Sequence, residues 1–282
     1  MAEWLETYRG VVNAWECDVV EHFTIAYYFD RFADSSRNLL ELIGEGEALI
    51  PLSGTGPSRL VATFQHELRG GAGFHILSAV NGLEGDTLRL GHNLIDSTSG
   101  KTCTWLAETL HLPASIGAAT RRKLQSIATP WTGPEVPAAS APPAAKGMLT
   151  ARDRVKPWEI AEHGMLALPD YVHRFSGAGM QFLGSIGMTG NYMYENRRGF
   201  STFLLDIELK SGIKAGQRVD VHTAVVHLGN TSLRYVHRMT DAQGRDIASM
   251  VQAGVHLDLD ARRPTAMPAS IRDAIAAAIA AG

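Results

Sequence analysis

Two stretches of equal length decide the fold: IAYYFDRFADSSRNLLELI at residues 25–43 and LPDYVHRFSGAGMQFLGSI at residues 168–186. In each stretch the apolar residues recur every three or four positions, which is the pattern of one face of a long helix. The two patterns coincide when the stretches are aligned 143 positions apart, and a small residue then stands at the same midpoint, Ser36 and Gly179. The sequence therefore predicts one long helix, present twice.

The sequence downstream of each helix repeats as well, at an offset of 145 positions. The matched residues are Ala79, Val80, Leu83, Leu88, Arg89, His92 and Asp96 in the first half and Ala224, Val225, Leu228, Leu233, Arg234, His237 and Asp241 in the second. Both regions alternate apolar and polar residues as strands do, and turn signals at 84–86, 97–100, 229–230 and 241–244 separate the strands. Strands joined by such hairpins pair antiparallel.

One segment interrupts this pattern. Residues 133–147, GPEVPAASAPPAAKG, are rich in Pro, Ala and Gly and carry no periodic apolar set, so they are predicted to form a surface linker without regular structure. The linker divides the 282 residues into two units, 1–132 and 148–282. We therefore expect an α+β fold of two tandem units. In each unit a curved antiparallel sheet wraps one long helix, and the two sheets join edge to edge.

Composition excludes several classes of protein. Lys and Arg number 26 against 29 Asp and Glu, which argues against a surface for nucleic acid or for an anionic membrane. The two cysteines, Cys17 and Cys103, fit a reducing cytoplasm rather than a disulfide framework. No signal peptide and no apolar run of ~18 residues is visible, so we expect a cytoplasmic protein without a membrane partner. Metal-binding patterns such as His-Glu-x-x-His are absent, so neither a metal nor a cofactor is predicted.

A short polar motif precedes each helix. The motifs are WECDVVEHFT at residues 15–24 and VKPWEIAEHG at residues 155–164. Aligned on their shared Glu-His pair, Asp18 matches Glu159 and His22 matches His163. A helix N-terminus offers unpaired backbone N–H groups and a positive dipole end, which can stabilise a carbonyl oxygen that becomes negative during a reaction. A carboxylate just upstream is placed to attack the carbonyl carbon or to deprotonate a water.

These motifs, with Arg197-Arg198-Gly199-Phe200 and the stretch from Asp241 to Pro264, resemble the 4-hydroxybenzoyl-CoA thioesterase-type hotdog family. The resemblance covers most of the chain outside the linker. It implies a double hotdog that hydrolyses acyl-CoA without metal or prosthetic group, and it assigns Asp18 as nucleophile or general base. Glu159 would be its counterpart in the second half. Because Glu159 is one methylene longer than the usual Asp, we expect Asp18 to dominate.

Candidate binding residues flank the motifs. We expect Phe23, Thr24 and Tyr27 to contact the acyl group between the two halves, and Arg262 and Arg263 to contact the phosphates of CoA. Each expectation has a simpler alternative. Thr24 is otherwise only a helix cap, and the two arginines are otherwise a solvated basic cluster.

The sequence thus predicts an acyl-CoA thioesterase for a small or medium acyl group, with Asp18, His22, Glu159 and His163 as catalytic candidates. The two histidines either transfer protons or only orient their loops. Acyl-CoA is the expected partner, and a homo-oligomer of double-hotdog chains is a further expectation. Two other functions stay open: a hydratase or dehydratase of the same fold, and a non-catalytic acyl-CoA-binding module. A binding module would keep the groove without needing the acids.

Overall fold

The computed structural model describes residues 3–18, 20–50, 58–139 and 147–281. The strands are β1 Leu5–Val11, β2 Ser58–Phe64, β3 Gly73–Glu84, β4 Thr87–Asp96, β5 Thr102–His111, β6 Met148–Arg154, β7 Arg198–Leu209, β8 Arg218–Leu228, β9 Ser232–Asp241, β10 Asp246–Asp258 and β11 Arg263–Pro264. The helices are α1 Ile25–Leu42, α2 Gly46–Leu49, α3 Ala118–Ser126, α4 Leu168–Ser185, α5 Gly190–Glu195 and α6 Ala269–Ala281. Short 3₁₀ turns at Ala14–Glu16 and Pro157–Glu159 lie ahead of α1 and α4.

In the described part of the chain the strands form one sheet, in the order β1-β3-β4-β5-β2-β7-β10-β9-β8-β6, and β11 pairs with β10. Strands β1–β5 come from the first half of the chain and β6–β11 from the second. The halves meet where β2 pairs antiparallel with β7, from Ser58 opposite Leu209 to Thr63 opposite Leu204. This seam removes an exposed edge from each half, and it confirms the predicted edge-to-edge joining of the two sheets.

The two long helices lie on the inner face of this sheet and contact each other across the seam. Their apolar stripes are buried, with Phe32 of α1 and Phe175 of α4 fully excluded from solvent. Each helix ends at a glycine in the left-handed region, Gly44 with φ +70° and Gly187 with φ +94°. The predicted helices are therefore confirmed, including their ends. None of the described helices combines the length and the apolar character needed to cross a membrane.

The strand register repeats as the sequence predicted. Ser78 pairs with His92 in the β3–β4 hairpin, and Thr223 pairs with His237 in the β8–β9 hairpin. Each hairpin has an irregularity at the matching place, after Val80 and after Val225. Even the hydrogen bond across the hairpin recurs, because His92 Nδ1 and His237 Nδ1 each lie 2.7 Å from the hydroxyl opposite. The offset of 145 positions is thus a structural repeat.

The first part of the predicted linker, residues 133–139, forms neither helix nor strand, as expected. Residues 140–146 lie outside the described residues. The unit boundaries at 1–132 and 148–282 stay a prediction, as do the homo-oligomer and the cytoplasmic location.

Candidate active site

Backbone hydrogen bonds shape the loop ahead of α1 into a tight turn. The N–H of Asp18 donates to the carbonyl of His22 at 2.8 Å, and the N–H of Glu21 donates to the carbonyl of Asp18 at 3.0 Å. Glu21 adopts φ 64°, a left-handed conformation that is uncommon for residues other than glycine. The turn brings Asp18 and His22 together at the N-terminus of α1.

This loop forms one wall of a cavity of about 290 Å³, here called the first cleft. Its lining residues are Asp18, Val20, His22, Phe23, Ile25, Tyr28, Phe64, Gln65, His66, Glu67, Gly199, Phe200, Ser201, Thr202, Phe203, Leu257, Leu259 and Arg262. The opposite wall belongs to the start of β7 and the end of β10. The first cleft is therefore built by both halves of the chain, at their seam.

The carboxylate of Asp18 is exposed and oriented by its own loop. Its Oδ1 accepts the N–H of Val20 at 2.9 Å and the N–H of His22 at 3.0 Å. Both bonds go to one oxygen, so the second oxygen is the one available to a substrate or a water. Asp18 thus has a fixed direction and an accessible acceptor, which a nucleophile or general base requires.

His22 belongs to a charged cluster that sequence reasoning missed. Its Nε2 lies 3.3 Å from Oε2 of Glu67, and the same carboxylate oxygen accepts a hydrogen bond from Arg262 Nη2 at 2.5 Å. Glu67 follows β2 in the first half and Arg262 precedes β11 in the second, so the cluster closes the cleft across the seam. The sequence offers no motif that marks Glu67.

The start of α1 lies at the first cleft. Ile25, its first helical residue, lines the cleft beside Phe23, whose side chain is buried. Backbone N–H groups of a first helical turn have no partner within the helix, and they lie at the positive end of its dipole. Such groups suit the oxygen of a carbonyl that becomes negative during hydrolysis.

Three of the five predicted binding residues do not line the first cleft. Thr24 occupies the N-cap position of α1, yet its side chain makes no capping hydrogen bond. The ring of Tyr27 meets His173 of α4 edge-on, with 5.2 Å between centroids. Arg263 is exposed in β11. Of the five predicted binding residues, only Phe23 and Arg262 line the first cleft, and a binding role for Thr24, Tyr27 and Arg263 stays a prediction.

Known proteins share this architecture. Residues 155–275 match the family model of the thioesterase-like superfamily. An acyl-ACP thioesterase from Bacteroides thetaiotaomicron superposes with a TM-score of 0.66 at 10% identity, covering 88% of this chain and 96% of that one. A 12:0-ACP thioesterase from Umbellularia californica gives 0.66 at 10% identity, covering 92% and 93%. The chain is a double hotdog. At such identities the solved structures establish the fold alone, and the match of residues 155–275 to the thioesterase-like model is what supports thioester hydrolase activity. No curated protein sequence matches.

Within this double hotdog, the predicted match between Asp18 and Glu159 is wrong by two residues. The carbonyl of Glu16 accepts the N–H of Thr24 at 2.9 Å, and the carbonyl of Glu159 accepts the N–H of Ala167 at the same 2.9 Å. Both acids end a 3₁₀ turn, so Glu159 is the counterpart of Glu16. The shared Glu-His pair places the two loops 141 positions apart in the sequence. The backbone hydrogen bonds repeat at an offset of 143 positions, which is the offset of the two helices.

The true counterparts of the catalytic candidates carry no titratable group. The N–H of Ala161 donates to the carbonyl of Met165 at 2.9 Å, which repeats the bond from Asp18 to His22. Gly164, at φ +78°, repeats the left-handed turn of Glu21. Ala161 therefore stands where the first loop has its acid, and Met165 stands where it has its imidazole.

Glu159 is instead part of an ion pair. Its Oε2 accepts Arg174 Nη2 at 2.7 Å and the N–H of Lys156 at 2.6 Å. Burial pushes the pKa of Glu159 up, but these two donors outweigh it and hold the pKa below its usual value. Glu16 is bonded in the same way to Arg31 and to the N–H of Asn13. We therefore expect a structural role for Glu159 rather than the catalytic one predicted from the sequence.

His163 lines a second cleft of about 200 Å³ at the pseudo-symmetric position. Its Nδ1 accepts the N–H of Met165 at 3.2 Å, and burial lowers its pKa. The neighbouring acid, Glu162, pairs with Arg37 at 2.9 Å. His163 thus lies in a cleft whose loop lacks an acid in the place of Asp18. Within the described ranges, no group of three or more His, Cys, Asp or Glu residues is arranged to hold a metal ion.

Proposed function

We propose that this double hotdog hydrolyses acyl-CoA thioesters in the first cleft, with Asp18 as nucleophile or general base. The observation that carries the proposal is the convergence of Asp18 and His22 on one cleft at the N-terminus of α1, while the second loop has Ala161 and Met165 instead. The family match and the full-length structural neighbours support the reaction type.

In the proposed reaction, α1, Asp18 and His22 each act on a different part of the thioester. The thioester carbonyl lies at the start of α1, where first-turn N–H groups stabilise the developing negative charge. Asp18 attacks the carbonyl carbon to form an anhydride that water then cleaves, or it takes a proton from the attacking water. The thiolate leaves and takes up a proton. His22, held beside Glu67 at 3.3 Å, either delivers that proton or keeps the loop in position.

The dimensions of the cleft favour a small or medium acyl group. Its volume of about 290 Å³ lies just below the range for ligand pockets, ~300–1,000 Å³. Phe23, Tyr28, Phe64 and Phe200 contribute aromatic rings to its walls. Such walls suit an apolar or aromatic acyl group.

An acyl carrier protein is the second candidate for the thiol that is released. Both full-length neighbours reported above carry acyl-ACP in their descriptions. CoA and acyl carrier proteins present the acyl group on the same pantetheine arm, so one cleft suits either. They differ in what lies outside the cleft.

Thiol release from a panel of thioesters tests the proposal. Acetyl-, hexanoyl-, benzoyl-, dodecanoyl- and hex-2-enoyl-CoA are compared with hexanoyl carrier protein. We expect release from hexanoyl- or benzoyl-CoA that disappears in Asp18→Asn. Release from the carrier protein alone would move the assignment to the second candidate. Loss of the double bond of an enoyl-CoA without thiol release would favour a hydratase, and no reaction with any substrate would overturn the assignment as an enzyme of this class.

A further inference from the structure

Two tyrosines stand at matching positions of the repeat, one on each long helix. Tyr28 is the fourth residue of α1, and Tyr171 is the fourth residue of α4. Both are buried, with 3% and 2% of their surface exposed. Their surroundings differ, because Tyr28 lines the first cleft, whereas Tyr171 is not among the described residues that line the second. One member of the pair can therefore reach a bound molecule.

The ring of Tyr28 extends back over the start of its own helix, as helical side chains generally do. It packs against the ring of Phe23, which lies two residues ahead of α1, with 4.5 Å between centroids. The hydroxyl accepts the N–H of Leu68, whose carbonyl in turn accepts the N–H of Phe23 at 2.8 Å. Asp18 and Glu67 are near enough to act on the pKa of this hydroxyl. The hydroxyl of Tyr28 thus lies between the start of α1 and the segment after β2.

The O–H of Tyr28 is available to a ligand. A tyrosine hydroxyl has one proton to donate, besides its capacity to accept. Tyr171 uses its proton within the protein, on the carbonyl of Ser211 at 3.5 Å. Ser211 stands two residues after β7, and His66 stands at the same distance after β2. Among the described residues, Tyr28 donates neither to the carbonyl of His66 nor to another acceptor, and it only accepts the N–H of Leu68.

This hydroxyl also keeps its proton. Burial raises the pKa of Tyr28 above its ordinary value, and the N–H of Leu68 offsets only part of that rise. The group is therefore a neutral hydrogen-bond donor at physiological pH and cannot act as a base there. A donor that the fold already holds in place needs no rearrangement when charge develops beside it.

We propose that the hydroxyl of Tyr28 donates a hydrogen bond to the thioester carbonyl oxygen, beside the first-turn N–H groups of α1. This inference rests on the proposed function, because it assigns a further donor to the same reacting group. A donor aimed at an oxygen that becomes negative stabilises the transition state more than the bound substrate. Tyr171 has no such part, since its O–H already serves Ser211.

The repeat supplies a matched pair of variants. Tyr28→Phe and Tyr171→Phe each remove one hydroxyl, and each leaves one backbone N–H without its acceptor, that of Leu68 or that of Ile213. The two variants should therefore lose similar stability. Only Tyr28→Phe should lower kcat for thioester hydrolysis, by about 100-fold and with little change in KM. If Tyr28→Phe kept the kcat of Tyr171→Phe, the assignment would be overturned.

Two unreactive thioethers of CoA separate this contact from hydrolysis. In 2-oxoheptyl-CoA a methylene stands between the sulfur and the carbonyl group, and heptyl-CoA has the same chain without the carbonyl. Titration calorimetry gives the affinity of both compounds for the wild-type chain and for the two variants. We expect the wild type and Tyr171→Phe to prefer the ketone, and we expect this preference to be about fivefold smaller in Tyr28→Phe.

The same preference in all three chains would overturn the contact, and so would failure of both thioethers to bind. A preference that falls in Tyr28→Phe, in a protein that hydrolyses no thioester, would support the contact and refute the proposed hydrolysis. Hydrolysis that persists in Tyr28→Phe, with the preference unchanged, would do the reverse. The two proposals therefore fail separately.

Discussion

Replacing Glu159 by glutamine removes the negative charge that Arg174 faces, and we expect this to weaken the fold and to spare catalysis. The two side chains are 16% and 6% exposed, so water screens their attraction little. Glutamine keeps the size of the side chain and one hydrogen-bond acceptor. The change therefore tests the charge itself.

The expected loss of stability follows from the contacts. Removing one partner of a buried ion pair costs ~3–5 kcal/mol, and a hydrogen bond to a charged group contributes ~1.5–3 kcal/mol. Arg174 keeps a second acid, because its Nε donates to Asp153 at 3.1 Å. We therefore expect about 2 kcal/mol, which corresponds to a fall of about 4–8 °C in Tm. Glu162, which is 59% exposed in its pair with Arg37, is the matched control, and Glu162→Gln should cost less than ~1 kcal/mol.

Urea unfolding of both variants, beside a thioester assay below their unfolding temperatures, checks this prediction.

The pKa of Glu159 is held below its usual 4.5 in the folded state. The stability from its ionised form is therefore present above pH 4.5 and is lost as the pH falls through the folded pKa. The difference between wild type and Glu159→Gln should shrink below pH 4.5. A variant that unfolds like the wild type but has lost thiol release would show that Glu159 is catalytic and that our register is mistaken.

Three further predictions concern single positions. Gly179→Ser should stabilise the chain by about 1 kcal/mol in urea unfolding, because a Cβ there lies 3.6 Å from the buried Nε2 of His237, which has no partner among the described residues and could bond the new hydroxyl. The same Cβ lies 3.3 Å from the hydroxyl of Tyr235, so a loss of stability would mean that this ring cannot move aside. Glu21→Gly should add about 1 kcal/mol by relieving φ 64°, and an unchanged denaturation midpoint would refute the strain. Glu67→Gln should lower kcat/KM about 10- to 100-fold with Tm nearly unchanged, because His22 loses the acid 3.3 Å away, and full activity would exclude a positioning role.

The helices and hairpins were predictable because burial imposes a period on them. Phe32 and Phe175 occupy matching positions on the buried faces of two 18-residue helices. The spacing of apolar residues in the sequence predicts such positions. The turn glycines and the paired histidines His92 and His237 followed for the same reason. Asp18 could be found because it lies a few residues before a predicted helix start.

The loops carry no period, and the remaining errors arose there. The Glu-His pair at 162–163 is identical to that at 21–22, and aligning the two pairs matches Asp18 with Glu159. The backbone hydrogen bonds instead match Asp18 with Ala161. Glu67 lies after β2, and its approach to His22 depends on how the sheet curves around α1. The path of residues 133–139 was not predictable either, since composition shows that they lack regular structure but not which surface they cross.

If Asp18 performs the chemistry, Asp18→Asn should remove the reaction and leave the fold intact. Asparagine is nearly isosteric and keeps an oxygen for the two loop hydrogen bonds, so the fold and Tm should stay as they are. Loss of a general base or nucleophile should lower kcat for the best thioester by about 100-fold or more. Glu21→Gln, at an exposed acid of the same loop that does not line the first cleft, should retain wild-type thiol release. Retention of most activity by Asp18→Asn, with the fold intact, would contradict the carboxylate mechanism and the assignment of this cleft.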